Sequence, residues 1–438
     1  MDSLGYSKTR TNILFGSILI SSFLGSAVLS LQGPFLPPIA DSKGIPPSQY
    51  GFIFSVYSLF SFISSPVIGS FLTRIGSRIW FIGGLVVLAL STIAFSFIDY
   101  VEDPIQFLSV AIILRIVEAA GQTSFKVSSN AVITQLYPES TAFMISIAQT
   151  TLGVGLMVGP GIGGFLYEYG GFALPFVTVG GSLLLSTSIS CVLLPNLKGE
   201  SPKTESLKNK WKVLLVPGIW INLFGCFVTN LAQGFLTSLL EPHLRRFHLS
   251  ASQVGLMFMI APIFFTIFVP LTGRIVGTRC TPRTLFSFGF IIKMIGFSLI
   301  GPLPYTDIEP SIPLTIAGLS LHGISAGFLI TGGLMDLINL GRSSTDESEE
   351  AIVGLMTALY GMTFSLGSFV APSFGGILLD HIGFRMETFI LVVLNIIAHF
   401  LLTVHSIYEY CSNPEDEQKP LLPSRRRETS TLISTGKR

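Results

Sequence analysis

The feature that most constrains this chain is a succession of apolar runs, each about 18 to 30 residues long, which is enough to cross a bilayer as a helix. Twelve runs can be separated, near 13–35, 50–72, 79–98, 105–136, 142–167, 172–194, 214–240, 253–271, 284–301, 312–338, 351–379 and 384–407. Because lipid cannot satisfy backbone polar groups, each run is expected to be helical. The sequence therefore predicts an all-α membrane protein with twelve transmembrane helices.

The composition and the motifs that do not occur exclude several classes of function. Of the 438 residues, 49% are hydrophobic and 12% are charged, where soluble domains average about a quarter charged. A formal net charge of +1 gives no electrostatic reason to expect a nucleic-acid partner. No nucleotide-binding P-loop and no hydrolase or metalloprotease motif occurs. We therefore predict neither an ATP-driven pump nor an enzyme, and no cofactor or metal.

The distribution of lysine and arginine predicts the orientation. With both termini in the cytosol, nineteen lysines and arginines lie in cytosolic segments. Only four lie on the opposite side: Lys43, Arg245, Arg246 and Arg385. Under the positive-inside rule, this asymmetry predicts that both termini are cytosolic.

The chain also repeats itself. Ser48 to Gly51 matches Ser252 to Gly255 at an offset of 204, and Gly155 and Pro160 match Gly367 and Pro372 at an offset of 212. Two parallel halves with a substrate site between them near the midplane are predicted. The expected division is a cytosolic N-terminus (1–12), an N-terminal six-helix half (13–194), a cytosolic linker (195–213), a C-terminal six-helix half (214–407) and a disordered cytosolic tail (408–438).

Two motifs resemble those of the major facilitator superfamily. The fifth run carries a glycine-rich pattern that resembles the antiporter signature of proton-coupled facilitators. Its members are Gly155, Gly159, Pro160, Gly163 and Gly164. The segment Gly69 to Arg78 resembles the facilitator loop between helices two and three, although Thr73 replaces its usual acid. The resemblance implies the twelve-helix major facilitator fold with two pseudo-symmetric halves.

The fourth run carries polar residues on one helical face. Arg115, Glu118, Gln122 and Lys126 recur at three- and four-residue spacing, with Arg115 close to the midplane. A charge there usually faces a cavity or a partner. One interpretation is a permanent Arg115–Glu118 ion pair that only holds helices together. The other is a cavity lining, in which Glu118 couples protons to transport.

Further polar residues give weaker signals. Lys126 and Asp336 lie near the cytosolic ends of corresponding helices, which suggests a charge-paired cytosolic gate in the lumen-open state. Lys126 and Lys293 are expected to extend their charges to an interface. His322 is expected to be a satisfied interior histidine. Glu241 is expected to be a solvated charge at the luminal rim.

The C-terminal tail contains two matches to an acidic dileucine address, [DE]-x-x-x-L-[LI]. Their key residues are Glu417, Leu421 and Leu422 in the first, and Glu428, Leu432 and Ile433 in the second. Such addresses are read by coat adaptors and not by the bilayer itself. They predict sorting to vesicular or endo-lysosomal membranes.

Three segments resemble the vesicular amine transporter family, closest to its polyamine branch: Leu114 to Gly121, Gly155 to Phe172, and Leu240 to Leu244. The resemblance implies exchange of luminal protons for cytosolic organic amines. Glu118 and Asp336 match acidic positions of the family. Gln149 stands where polyamine members carry an acid, and helix one lacks the carboxylate of the monoamine members.

Three functions remain open from the sequence. The leading hypothesis is proton-coupled antiport of organic cations, polyamine or monoamine, into acidic vesicles. A second is a facilitator of the same fold for organic anions or neutral solutes, which the midplane Arg115 and the missing acids favour. A third is a non-transporting receptor or scaffold, which would have no use for the glycine motifs.

Overall fold

The computed structural model describes residues 8–137, 140–194, 213–276, 279–345 and 349–412, and within them the chain is helical almost throughout. The long helices are α1 Lys8–Ser42, α2 Pro47–Ile75, α3 Ser77–Phe95, α4 Pro104–Leu136, α5 Thr141–Gly170, α6 Ala173–Leu193, α7 Pro217–Leu244, α8 Ala251–Ile275, α9 Pro282–Ile300, α10 Ile312–Ser344 and α11 Glu349–Ser412. Eleven helices in these ranges are long and apolar enough to cross a membrane.

The last helix accounts for the twelfth predicted span. Gly383 has φ 76° and ψ 163°, which is not helical, so it divides α11 into two arms, 349–382 and 384–412. Gly171, its counterpart at the 212-residue offset, has φ 70° and separates α5 from α6 in the first half. Glycine tolerates such left-handed φ values without a steric penalty. The predicted twelve-helix fold with two pseudo-symmetric halves is confirmed.

The two halves meet through two equivalent crossings at one end of the bundle. In one, Gly51 of α2 lies against the carbonyl of Pro372 in α11; in the other, Gly255 of α8 lies against the carbonyl of Pro160 in α5. At each position a side chain would collide with backbone, so only glycine allows the helices this close. We call this the closed end.

The same helices are open toward their other ends. Gly69 of α2 and Gly273 of α8 have no neighbouring atom within 4 Å of a side-chain position. Phe71 follows Pro66 in α2, and Leu271 follows Pro270 in α8. Both side chains are exposed. We call this the open end. The molecule is therefore in a conformation in which the halves are closed together at one end only.

Polar contacts also join the halves at the closed end. The backbone N–H of Ser48 in α2 donates to Asp380 Oδ2 at 3.0 Å, and that of Ser252 in α8 donates to Glu168 Oε1 at 2.9 Å. Both amides lie in the first turn of a helix, where backbone N–H groups lack intrahelical partners. Each half thus supplies a carboxylate to a helix of the other.

An ion pair completes this end. Arg245 contacts Asp41 of the other half, and its Nη2 lies 2.7 Å from Glu241 Oε2. Glu241 is only 5% exposed. The expectation that it is a solvated rim charge was wrong, because the end of α7 packs against the other half.

Candidate functional site

A cavity of about 300 Å³ lies between the two halves. Its wall is mainly apolar and aromatic, with a few hydroxyl and amide groups. Its charged side chains are Arg115 of α4 and Lys293 of α9, and His322 of α10 adds an imidazole. Among the described residues, those that line it include no carboxylate. A mostly apolar pocket with few polar groups is typical of small-molecule sites.

Arg115 lines this cavity, and its guanidinium group interacts with three other residues. Its Nη1 lies 2.7 Å from Glu118 Oε2, and its Nε donates to the carbonyl of Ile53 at 3.2 Å. Its guanidinium carbon is 4.3 Å from the ring centre of Tyr57. Arg115 is therefore both ion-paired and part of the cavity wall, while proton coupling by Glu118 stays a prediction.

Glu118 lies behind Arg115 and is 1% exposed. Gln32 of α1 donates from Nε2 to both of its carboxylate oxygens, at 2.9 and 3.2 Å. The sequence pattern places Glu118 one turn from Arg115, but Gln32 is 86 residues away along the chain. Gln122, one turn further, is buried against α1 at Gly25.

The other predicted residues of this group lie outside the cavity wall. Gln149 and Lys126 are exposed and do not line the cavity. Asp336 is 5% exposed, accepts a hydrogen bond from Asn222 Nδ2 at 2.8 Å, and lies 3.2 Å from Arg283 Nε. The Lys126–Asp336 gate, which concerns the lumen-open state, stays a prediction, and Asp336 would have to exchange partners to form it.

Lys293 is the principal residue whose location the sequence interpretation predicted wrongly. Its side chain is 0% exposed and lines the cavity, so the expectation that it extends to an interface was wrong. A signal existed, because Lys293 lies in the middle of the 19-residue helix α9, beyond the reach of a lysine stem to either end. His322 beside it is 1% exposed, and its Nε2 lies 3.1 Å from Gln233 Oε1.

The predicted antiporter motif positions α5 between two helices. Gly155, Gly159 and Gly163 lie against α1, and Gly164 lies against the start of α8 in the other half. Pro160 lines the cavity. The motif therefore sets the approach of helices around the cavity, while its part in antiport stays a prediction.

The predicted sorting residues lie outside the described residues. These are Glu417, Leu421, Leu422, Glu428, Leu432 and Ile433. Most of the predicted linker, 195–212, also lies outside them.

Comparisons with known proteins agree with this architecture. The Major Facilitator Superfamily model matches residues 18–342. The chain is 29% identical over 412 residues to the MFS-type transporter SLC18B1 of Homo sapiens, covering 93% of this chain and 90% of that protein. The Mus musculus protein of the same name is 31% identical, covering 81% and 78%. The synaptic vesicular amine transporter of Homo sapiens is 25% identical, covering 80% and 65%.

Solved structures share the fold at low sequence identity. A bacterial homologue of the human lysosomal transporter Spinster, in an inward-facing and occupied conformation, has a TM-score of 0.72 and 16% identity, covering 92% of this chain and 98% of that one. The nucleoside transporter NupG has a TM-score of 0.72 and 11% identity, covering 89% and 99%. At these identities, the likeness concerns the fold alone.

Proposed function

The chain belongs to the Major Facilitator Superfamily, and within that family of membrane transporters we propose that it is a proton-coupled antiporter of organic cations, polyamines or monoamines. The observation that carries the proposal is Glu118, a buried carboxyl group held directly behind the cavity wall by Arg115 and Gln32. The similarity to proteins named as amine transporters supports the substrate class.

The proposed coupling uses competition for this carboxylate. A cationic amine that reaches Arg115 and Tyr57 competes with the guanidinium for Glu118 and favours its ionised form. A proton from the acidic side neutralises Glu118 and weakens its attraction for the amine. Each unit of pH difference supplies about 1.4 kcal/mol per proton, enough for about tenfold accumulation with one-for-one exchange.

The proposed setting is an acidic vesicular or endo-lysosomal membrane, with both termini in the cytosol. The lysine and arginine distribution supports an open end that faces the cytosol. The two acidic dileucine sequences support contact with coat adaptors. In this orientation the cavity of the present conformation receives its solute from the cytosol.

The test is Glu118→Gln in proteoliposomes with an acidic interior. We expect pH-driven uptake of organic amines to fall to the background level, because glutamine keeps the side-chain shape but cannot carry the proton. Glu387→Gln is the matched control, since Glu387 is also buried, at 3% exposure, and does not line the cavity. Full pH-dependent uptake by purified, monodisperse Glu118→Gln protein would contradict the proposal.

A second candidate is transport of organic anions. The composition of the cavity wall favours it, because the described lining residues include two basic side chains and no carboxylate. The same vesicles distinguish the candidates. Anion uptake that survives Glu118→Gln and needs no pH gradient would favour this second function.

A further inference from the structure

Lys293 is a basic side chain buried in the cavity wall without an anionic partner among the described residues. Its side chain is fully buried, and its Nζ donates a long hydrogen bond, 3.3 Å, to the carbonyl of Thr229. Among the described residues, no carboxylate oxygen lies within 4.0 Å of it. Arg115, the other basic side chain of the cavity, has Glu118 at 2.7 Å. Because an unpaired buried charge is costly, the charged form of Lys293 would be stabilised by an anionic group that enters the cavity.

The surroundings of Lys293 are suited to a second charged ligand group. His322 is adjacent on α10, with its backbone packed against Gly296, one turn along α9 from Lys293. Its Nε2 faces Gln233, while its Nδ1 is buried and has no hydrogen-bond partner. With the proton on Nδ1 and the Gln233 amide turned to donate to Nε2, neutral His322 presents a hydrogen-bond donor to a carboxylate. Both side chains line the same cavity as Arg115.

We propose that Lys293 and His322 form a subsite for a carboxylate of the transported molecule, so that the substrate is a zwitterionic or amino-acid-like amine and not a simple polycation. This inference rests on the proposed amine antiport and changes its substrate in one respect, since the favoured amine also carries a carboxylate. The amine interacts near Glu118 in the N-terminal half, and the carboxylate interacts with Lys293 in the C-terminal half. One molecule thereby contacts both halves, as a substrate of a transporter whose halves rock around it must.

The test compares amines that differ by one carboxylate. In vesicles with an acidic interior, initial uptake of lysine is compared with that of cadaverine, and uptake of ornithine with that of putrescine. We expect the wild-type protein to prefer the carboxylated member of each pair by about tenfold, the contribution of one hydrogen-bonded charge pair. This comparison needs no variant.

Lys293→Met then assigns the preference to the subsite. Methionine has a similar length and no charge, so the ratio of lysine to cadaverine uptake should fall to about one, while Lys293→Arg should retain part of the preference. Lys43→Met is the matched control, because Lys43 donates to the carbonyl of Asp99 and does not line the cavity. An unchanged ratio in folded Lys293→Met protein would overturn the proposal.

Three further outcomes separate this inference from the function on which it rests. Equal pH-driven uptake of lysine and cadaverine by the wild-type protein would overturn the carboxylate subsite and leave amine antiport standing. Chloride-dependent cadaverine uptake that disappears in Lys293→Met would assign the site to an inorganic anion and overturn the proposal. No pH-driven uptake of any amine would reject the antiport itself.

Discussion

Arg115 shows how a cation is kept in the middle of a membrane protein. It is 2% exposed and has an ion pair with Glu118, a backbone acceptor at Ile53 and the face of Tyr57. Removing one partner of a buried pair typically costs about 3 to 5 kcal/mol, because the other charge is left uncompensated. Ile53 and Tyr57 belong to α2, so the contacts that Arg115 makes with them join α2 to α4 beside the cavity.

Tyr57 provides a test at this scale. Tyr57→Leu removes the aromatic face over the guanidinium, an interaction worth roughly 0.5 to 2 kcal/mol, and should lower the initial uptake rate by about fivefold. Tyr57→Phe keeps the ring and should remain within about twofold of the wild type. The measurement is initial uptake at matched protein content. Equal impairment of both variants would show that the phenol hydroxyl, and not the ring, is required.

At the scale of helices, the duplication is visible in two equivalent helix caps that join the halves. Asp380 caps the start of α2 and Glu168 caps the start of α8, and these acids are related by the same 212-residue offset as Pro160 and Pro372. A carboxylate at a helix N-terminus interacts favourably with the helix dipole. Because each acid and its helix belong to different halves, both caps stabilise the conformation with this end closed.

Neutralising both caps should therefore shift the conformational equilibrium. Glu168→Gln with Asp380→Asn removes the charge of both caps, so the population should shift severalfold toward the opposite conformation. Spin labels at the exposed positions Phe71 and Leu271, one in each half at the open end, report the change. We expect a larger population at short distances.

The control for this experiment is Glu102→Gln, since the Glu102 side chain is 92% exposed and its recorded ion-pair partner, Lys43, belongs to the same half. Its distance distribution should equal that of the labelled parent. An unchanged distribution in the double variant would show that the glycine crossings alone keep the end closed.

At the scale of the whole molecule, the destination of the protein is predicted to depend on the tail. Replacing Leu421, Leu422, Leu432 and Ile433 with alanine should move a tagged chain toward the plasma membrane, because coat adaptors would no longer bind the dileucine addresses. Quantitative surface labelling measures the shift. Ser424→Ala with Ser434→Ala is the control, as it alters the same tail but spares both addresses. An unchanged distribution of the quadruple variant would end the sorting hypothesis.

The sequence by itself determined the features that depend on local chemistry. The number of spans follows from the lengths of the apolar runs, since a bilayer of fixed thickness requires helices of about 20 residues. The alignment of Arg115 with Glu118 follows from helical periodicity. The equivalence of Pro160 and Pro372 follows from the internal repeat, because duplication preserves residue spacing.

Only the tertiary structure decided which distant groups meet. It brought Gln32 to Glu118, Tyr57 to Arg115 and Arg283 to Asp336, and it turned Lys293 into the cavity. The physical reason is that lipid is as apolar as a protein core, so hydropathy does not reveal which face of a transmembrane helix points inward. Hydropathy therefore leaves the rotation of α9 open, and the mid-helix position of Lys293 is the sequence signal for it.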